Sequence, residues 1–265
     1  MRKIRVIHNL PRSGGTIISK CIGAQKNVFV LSEIHPDGEK IRRMMGAKPS
    51  IGNPVIQALE WENFFNDNEK EKIKNLDYNF EKKIELIYEK AESIGKKLVI
   101  RDWSFIDYLG LPFVNPTYKN LLLENLNKKF EVINFYILRH PLELFISLNS
   151  LKLFENKFPF EFFLNGYSKF LHQAKKNSIY TYENFTLEPD NYLKSMCDDI
   201  DIEFEENYLQ NLKNIKITGD EKANNSSNVI INENKANKLI EKEVLENIKN
   251  NKIYVNLIKE LEDYY

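Results

Sequence analysis

The segment Pro11-Arg12-Ser13-Gly14-Gly15-Thr16 brings together the residue types that an oxyanion needs. It follows a short apolar run, residues 4–7, and precedes Ile17, Ile18, Cys21 and Ile22, which share one face at helical spacing. A tight turn in that position aims several backbone N–H groups into one concavity at the positive end of a helix. Gly14 and Gly15 allow close approach and unusual backbone angles. Arg12 adds a permanent planar charge, and Ser13 and Thr16 add hydroxyl donors. Phosphate or sulfate is the ligand such a turn holds. A Walker A loop places a lysine after its last glycine to reach the β- and γ-phosphates. Here Gly15 and Thr16 are followed by Ile17, so the expected ligand is a nucleotide without a γ-phosphate, or another anion.

A second candidate is "FYILRHPLELFISLNS", residues 135–150, whose arginine alone would read as the partner of a surface acid and beside the glycine turn reads as a second anion contact. Arg139 closes an apolar strand pattern, Pro141 opens a helix where its missing N–H is harmless, and Ser147 lies farther along that helix. An arginine at the carboxyl end of a parallel strand points into the crevice where ligands bind and can pair two phosphate oxygens. Acid–base candidates stand at two other strand ends. Glu33 and His35 fall in "VFVLSEIHPDG", and Asp102 in "VIRDWS", where it or Trp103 faces the same crevice and Asp102 could be base or acceptor contact. His8, His140 and His172 have no metal-ligand spacing, and no metal is expected.

These residues need a sheet to hold them. Residues 4–7, 28–31, 98–100, 132–138 and 179–182 are short runs of β-branched and aromatic character, continuous rather than alternating, as in strands covered on both faces. Helical patterns lie between them, at residues 55–65, at 80–91 and at 142–154 behind Pro141. Strand alternating with helix predicts an α/β fold with a doubly wound parallel sheet of about five strands flanked by helices. One domain spanning residues 1–265 is expected. Residues 38–97 form a mostly helical insertion, and residues 232–265 a charged helical tail with Leu239, Val244, Leu245 and Ile248 as its apolar stripe. Residues 218–228 are polar and turn-rich.

Composition narrows the function classes. Lys+Arg and Asp+Glu both total 38, which removes a bulk electrostatic case for nucleic acid or an anionic membrane. No apolar run approaches a membrane span, so none is expected. The two cysteines make no disulfide framework and fit a reducing compartment, so a cytoplasmic protein is expected.

"PRSGGT" after the first strand resembles the 5′-phosphosulfate loop of sulfotransferases that use 3′-phosphoadenosine-5′-phosphosulfate (PAPS). Arg139, His140, Pro141, Glu143 and Ser147 resemble the 3′-phosphate motif of that family in full register. Gly15 departs from a usual hydroxyl residue, and Ile17 from the tryptophan of the cytosolic branch. The chain is in these respects more similar to the bacterial and tyrosylprotein-modifying branches. The resemblance implies a P-loop-type sulfotransferase fold, PAPS as donor and 3′,5′-adenosine bisphosphate as product. Residues 11–16, Arg139 and Ser147 would then bind the cofactor, with Arg12 stabilising the transferring group. Tyr182, in "YTYENFTLEP", matches a tyrosine that touches adenine, and Glu33 matches a catalytic glutamate. Glu33 is the expected general base, with His35 and Asp102 as rivals. Lys222, in "GDEK", is a weaker match to a late phosphate-closing loop. A transferring sulfonyl group carries less charge than a phosphoryl group, so protein cations suffice without Mg²⁺. Two other readings stay open: a small-molecule or nucleotide kinase of the wider P-loop class, and a non-catalytic nucleotide-binding protein. The expected partner is a small-molecule or saccharide acceptor, with a homodimer possible. Aromatic residues of the insertion (Trp61, Phe64, Phe65, Tyr78 and Phe80) are candidates to line its cleft.

Overall fold

In the computed structural model, the strands β1 (Lys3–Asn9), β2 (Val28–Ile34), β3 (Lys97–Asp102), β4 (Glu131–Leu138) and β5 (Ser178–Thr181) form one all-parallel sheet in the order β2-β3-β1-β4-β5. The structure describes residues 2–60, 64–74, 78–154, 159–215, 217–219, 246 and 248–265. Helix α1 (Gly15–Gly23) leaves β1 directly. Helices α2 (Gly38–Met45), α3 (Pro54–Glu60), α4 (Asp67–Lys74) and α5 (Phe80–Ser93) run between β2 and β3. Helices α6 (Ser104–Tyr108) and α7 (Leu121–Leu126) precede β4, while α8 (Pro141–Asn149) and α9 (Phe160–Ala174) precede β5. After β5 come α10 (Tyr182–Leu187), α11 (Pro189–Asp199), α12 (Tyr208–Asn211) and α13 (Lys252–Leu261).

The continuous apolar runs follow from helices on both faces. Ile17, Ile18, Cys21 and Ile22 of α1, with Leu193, Met196 and Cys197 of α11, cover Ile7, Val30, Val99, Phe135 and Ile137. On the opposite face Ile84, Ile87 and Tyr88 of α5 cover Ile4, Val6, Leu31, Leu98 and Ile100. Helices α6 and α9 complete that layer over Tyr136 and Leu138. Successive strand residues point to opposite faces, so both sets must be apolar. Each buried aliphatic side chain contributes roughly 1.5–3 kcal/mol.

Strand β1 is central, with β3 on one side and β4 on the other. Chain order reverses there, and the carboxyl ends of β1 and β4 open onto one crevice. Several boundaries differ from the sequence pattern: β1 and β2 run on to Asn9 and Ile34, and residues 64 and 65 of the expected helix 55–65 are not helical. Residues 179–182 read as a strand, but β5 stops at Thr181, whose hydroxyl accepts from the Asn184 N–H at 3.3 Å and caps α10. Tyr182 is therefore the first residue of a helix. Helix α8 ends at Asn149, short of the expected residue 154, and Phe154 folds back into the core. Trp61, Lys222 and the stripe residues Leu239, Val244 and Leu245 lie outside the described residues, as does the part of the polar stretch from 220 to 228.

Candidate active site

The turn between β1 and α1 is held from inside. Ser13 donates its hydroxyl to the Leu10 carbonyl at 2.6 Å and its N–H to the same oxygen at 3.3 Å. Asn9 Nδ2 donates to that carbonyl as well, at 2.8 Å. Ser13 is thus fully buried, and its hydroxyl closes the turn. Pro11 sits half-buried beside it. Gly14 caps α1 with φ +82°, and a Cβ on it would overlap the Tyr182 ring. A Cβ on Gly15 would overlap the carboxamide of Asn9. That close packing leaves room for glycine alone at position 15. Beyond it, Gly15, Thr16 and Ile17 present N–H groups that the first turn of a helix cannot bond internally.

Two arginines meet at this turn. Arg12 adopts φ +69°, a left-handed conformation rare for a residue with a Cβ. Its Nε donates to Ser147 Oγ at 3.0 Å, and its carbonyl accepts from Arg139 Nη1 at 2.8 Å. Arg139 also lies 3.6 Å from Glu143 and stacks over the Tyr182 ring at 5.2 Å. Tyr182 is wedged between Gly14 and Arg139 and is 7% exposed. Arg12, Arg139, Ser147 and Tyr182, from three segments of the chain, therefore converge at the β1–β4 junction. This donor set, two guanidiniums and a helix N-terminus, suits a ligand with two anionic groups.

On the other flank stands Arg101 of β3, which the motif reading passed over. It is 3% exposed. Its Nε donates to Ser32 Oγ at 2.9 Å, Nη1 to Thr16 Oγ1 at 3.1 Å, and Nη2 to the Thr218 carbonyl at 2.9 Å. Glu33 Oε1 lies 3.5 Å from Nη2. Burial pulls the Arg101 pKa down, and the Glu33 charge works against that pull. Thr218 is pinned in turn, its hydroxyl lying 3.1 Å from both the Ser32 carbonyl and hydroxyl oxygens. Glu33 itself has φ +55°, at a register shift of β2 between Leu31 and Ile34. Such a non-glycine conformation costs about 1–3 kcal/mol and persists where surrounding contacts impose it. Arg12 and Glu33, picked from sequence for chemistry, thus both occupy left-handed backbone.

The rival bases are enclosed. His35 is fully buried; its Nδ1 accepts from the Asp37 N–H at 3.0 Å, so Nε2 carries the proton and donates to Asp107 at 3.2 Å. The Nδ1 lone pair is thus already engaged by the backbone. Asp102 is 2% exposed and accepts from Ser104 at 2.7 Å beside His8 Nδ1 at 2.8 Å. Trp103 is buried in the core that contains Leu10 and Ile41. Of the three candidates, Glu33 keeps the most contact with solvent, with 22% of its side chain exposed. Among the described residues, no group of three or more His, Cys, Asp or Glu side chains is placed to hold a metal ion. Among them too, no helix is long and apolar enough to cross a membrane.

The parallel sheet and its flanking helices match the fold of two solved sulfotransferase domains. The sulfotransferase domain from the curacin biosynthetic pathway superposes with a TM-score of 0.65 at 18% identity, covering 100% of this chain and 99% of that one. The sulfotransferase domain from the Synechococcus PCC 7002 olefin synthase gives 0.59 at 16% identity, over 92% of this chain and 82% of that one. No family model matches the sequence, and no curated protein matches it. At these identities the likeness is one of fold.

Proposed function

We propose that this protein is a sulfotransferase that takes a sulfonyl group from PAPS, passes it to a hydroxyl or amine acceptor and releases 3′,5′-adenosine bisphosphate. The observation that carries this reading is the Arg12–Arg139 junction, with Arg139 donating to the Arg12 carbonyl at 2.8 Å on a sheet of sulfotransferase fold. The first-turn N–H groups of α1, Arg12 and Thr16 would take the 5′-phosphosulfate. Arg139 and Ser147 would take the 3′-phosphate, and Tyr182 would flank the adenine. Pro11, Ser13, Gly14 and Gly15 would shape the turn.

In the transfer the acceptor oxygen or nitrogen bonds to sulfur while the bond from sulfur to the 5′-phosphate oxygen breaks. The acceptor proton passes to Glu33, and the departing phosphate oxygen keeps the electron pair. Arg12 offsets the charge building on that oxygen. A positioned donor of this kind is worth about 10²–10³ in rate. Arg101, 3.5 Å from the Glu33 carboxylate, sets the direction from which the base acts. Helices α2 to α5 are the part of the chain that would shape the acceptor side.

Thermal unfolding with adenosine bisphosphate tests the reading. At a hundredfold excess over Kd the ligand should stabilise the fold by about 2.7 kcal/mol. No shift at saturating ligand overturns it. Sulfonate transfer from PAPS to an acceptor panel should be lost in Glu33→Gln; transfer at the parental rate places the base elsewhere.

A further inference from the structure

Strand β2 lies at the edge of the sheet, so the backbone groups on its outer side have no neighbouring strand. At Ser32 a side chain takes the place of that strand. Gln57 of α3, fully buried, accepts from the Ser32 N–H through Oε1 at 2.8 Å and donates from Nε2 to the Ser32 carbonyl at 2.6 Å. The same nitrogen also donates to the Ser50 carbonyl at 2.8 Å. The start of α3 is fixed by Asn53, whose Oδ1 accepts from the N–H groups of Val55 and Ile56 at 3.0 Å, with Pro54 at the first helical position. The Ser32 carbonyl also takes the Thr218 hydroxyl, and the Ser32 hydroxyl accepts from Arg101. Beyond Glu33, the Ile34 carbonyl accepts from the Trp103 N–H at 3.0 Å and returns the strand to β3. Between these two anchors Glu33 takes φ +55°.

We infer that Gln57 is a positioning residue for the general base: by holding both backbone groups of Ser32 it imposes the left-handed backbone of Glu33, and with it the direction of the carboxylate. The inference rests on the proposed role of Glu33. A residue with a Cβ keeps this conformation only where its surroundings over-determine it. A glutamine serving only the packing of α3 would leave the backbone preference at position 33 untouched.

Two mutant cycles test it. The first needs no acceptor. In urea denaturation Glu33→Gly should be favoured over Glu33→Ala by about 3-fold or more in the folding equilibrium constant, since glycine takes this φ at no steric cost. Gln57→Met, of similar length but without the carboxamide, should shrink that preference. An undiminished preference, or none beside the native Gln57, overturns the inference. The second cycle reads sulfonate transfer from PAPS to the panel acceptor that the parent protein turns over fastest. Gln57→Met should lower kcat by about 10-fold or more and leave the Kd of adenosine bisphosphate near its parental value. In a Glu33→Gln background the same substitution should change kcat little, because no base remains to be aimed. Equal losses in both backgrounds overturn the inference. Glu33→Gln at the parental rate overturns the reading of Glu33 itself. A parent protein that turns over no acceptor overturns the proposed function, and the first cycle still decides whether Gln57 holds residue 33. Should Gln57→Met fail to fold, Gln57→Glu, which keeps the acceptor for the Ser32 N–H and loses both donors, decides by the same cycles.

Discussion

Across the crevice, the β2–β3 flank is organised by one buried guanidinium and the β4–β5 flank by aromatic rings. Arg101 ties Thr16, Ser32, Glu33 and Thr218 together by directional bonds in a water-poor setting. On the other flank Tyr182 lies under Arg139, and Tyr254 and Tyr265 stand around His140. Polar hubs fail sharply, because every member left without its partner keeps its desolvation cost. Ring packing degrades by degrees. The proposed chemistry matches the division. A group that receives a proton needs a fixed approach, whereas a group that grips phosphate needs shape and a charge.

Substitutions can break this contrast. Arg101→Met should cost the most, about 3 kcal/mol, since it takes the shared cation from Glu33, Thr16, Ser32 and the Thr218 carbonyl. Urea denaturation measures it, and Tyr182→Leu on the other flank should cost less. Equal costs would erase the distinction between the flanks. Arg12→Ala should lower kcat/KM by about 10²–10³ with the melting temperature little changed. Gly14→Ala forces a left-handed Cβ against the Tyr182 ring and should cost about 1–2 kcal/mol. Adenosine bisphosphate should also bind it more weakly, because the displaced ring no longer backs Arg139.

The smallest effect is one of pH. Burial raises the Glu183 carboxyl above its ordinary 4.5, against the opposing pull of the His140 N–H and Arg139. An acid whose folded pKa is raised binds protons more tightly folded than unfolded. Its contribution is therefore full below 4.5 and is lost as pH rises through the folded value. Glu183→Gln should flatten that decline, seen as a melting temperature less dependent on pH than the parent's. A parallel pH profile would mean that Glu183 does not titrate in this window.

Much of the fold was legible because the strands are covered on both faces and their runs stand out from the helical spacing. The Arg12 turn and the Arg139 motif were legible because each is local: residue types and spacing within one segment carry the chemistry. Arg101 was not. It stands one residue past the apolar run of β3, and its partners come from α1, β2 and residue 218. A signal was present, since a cation beside a strand buried on both faces must find partners. Tyr182 was misplaced at the end of a strand because Thr181, its cap, also has high strand propensity. The enclosure of His35 depends on Asp107, contributed by α6, a contact that adjacent residues do not announce.

Asn9 and Gly15 share one small volume, filled from the strand side by the carboxamide. Any lineage or designer wishing to restore a hydroxyl in that loop faces an ordered path. The amide must shrink first, leaving a brief void, before the larger loop residue can arrive; the reverse order passes through a collision. The pair behaves as a ratchet on how this turn can vary.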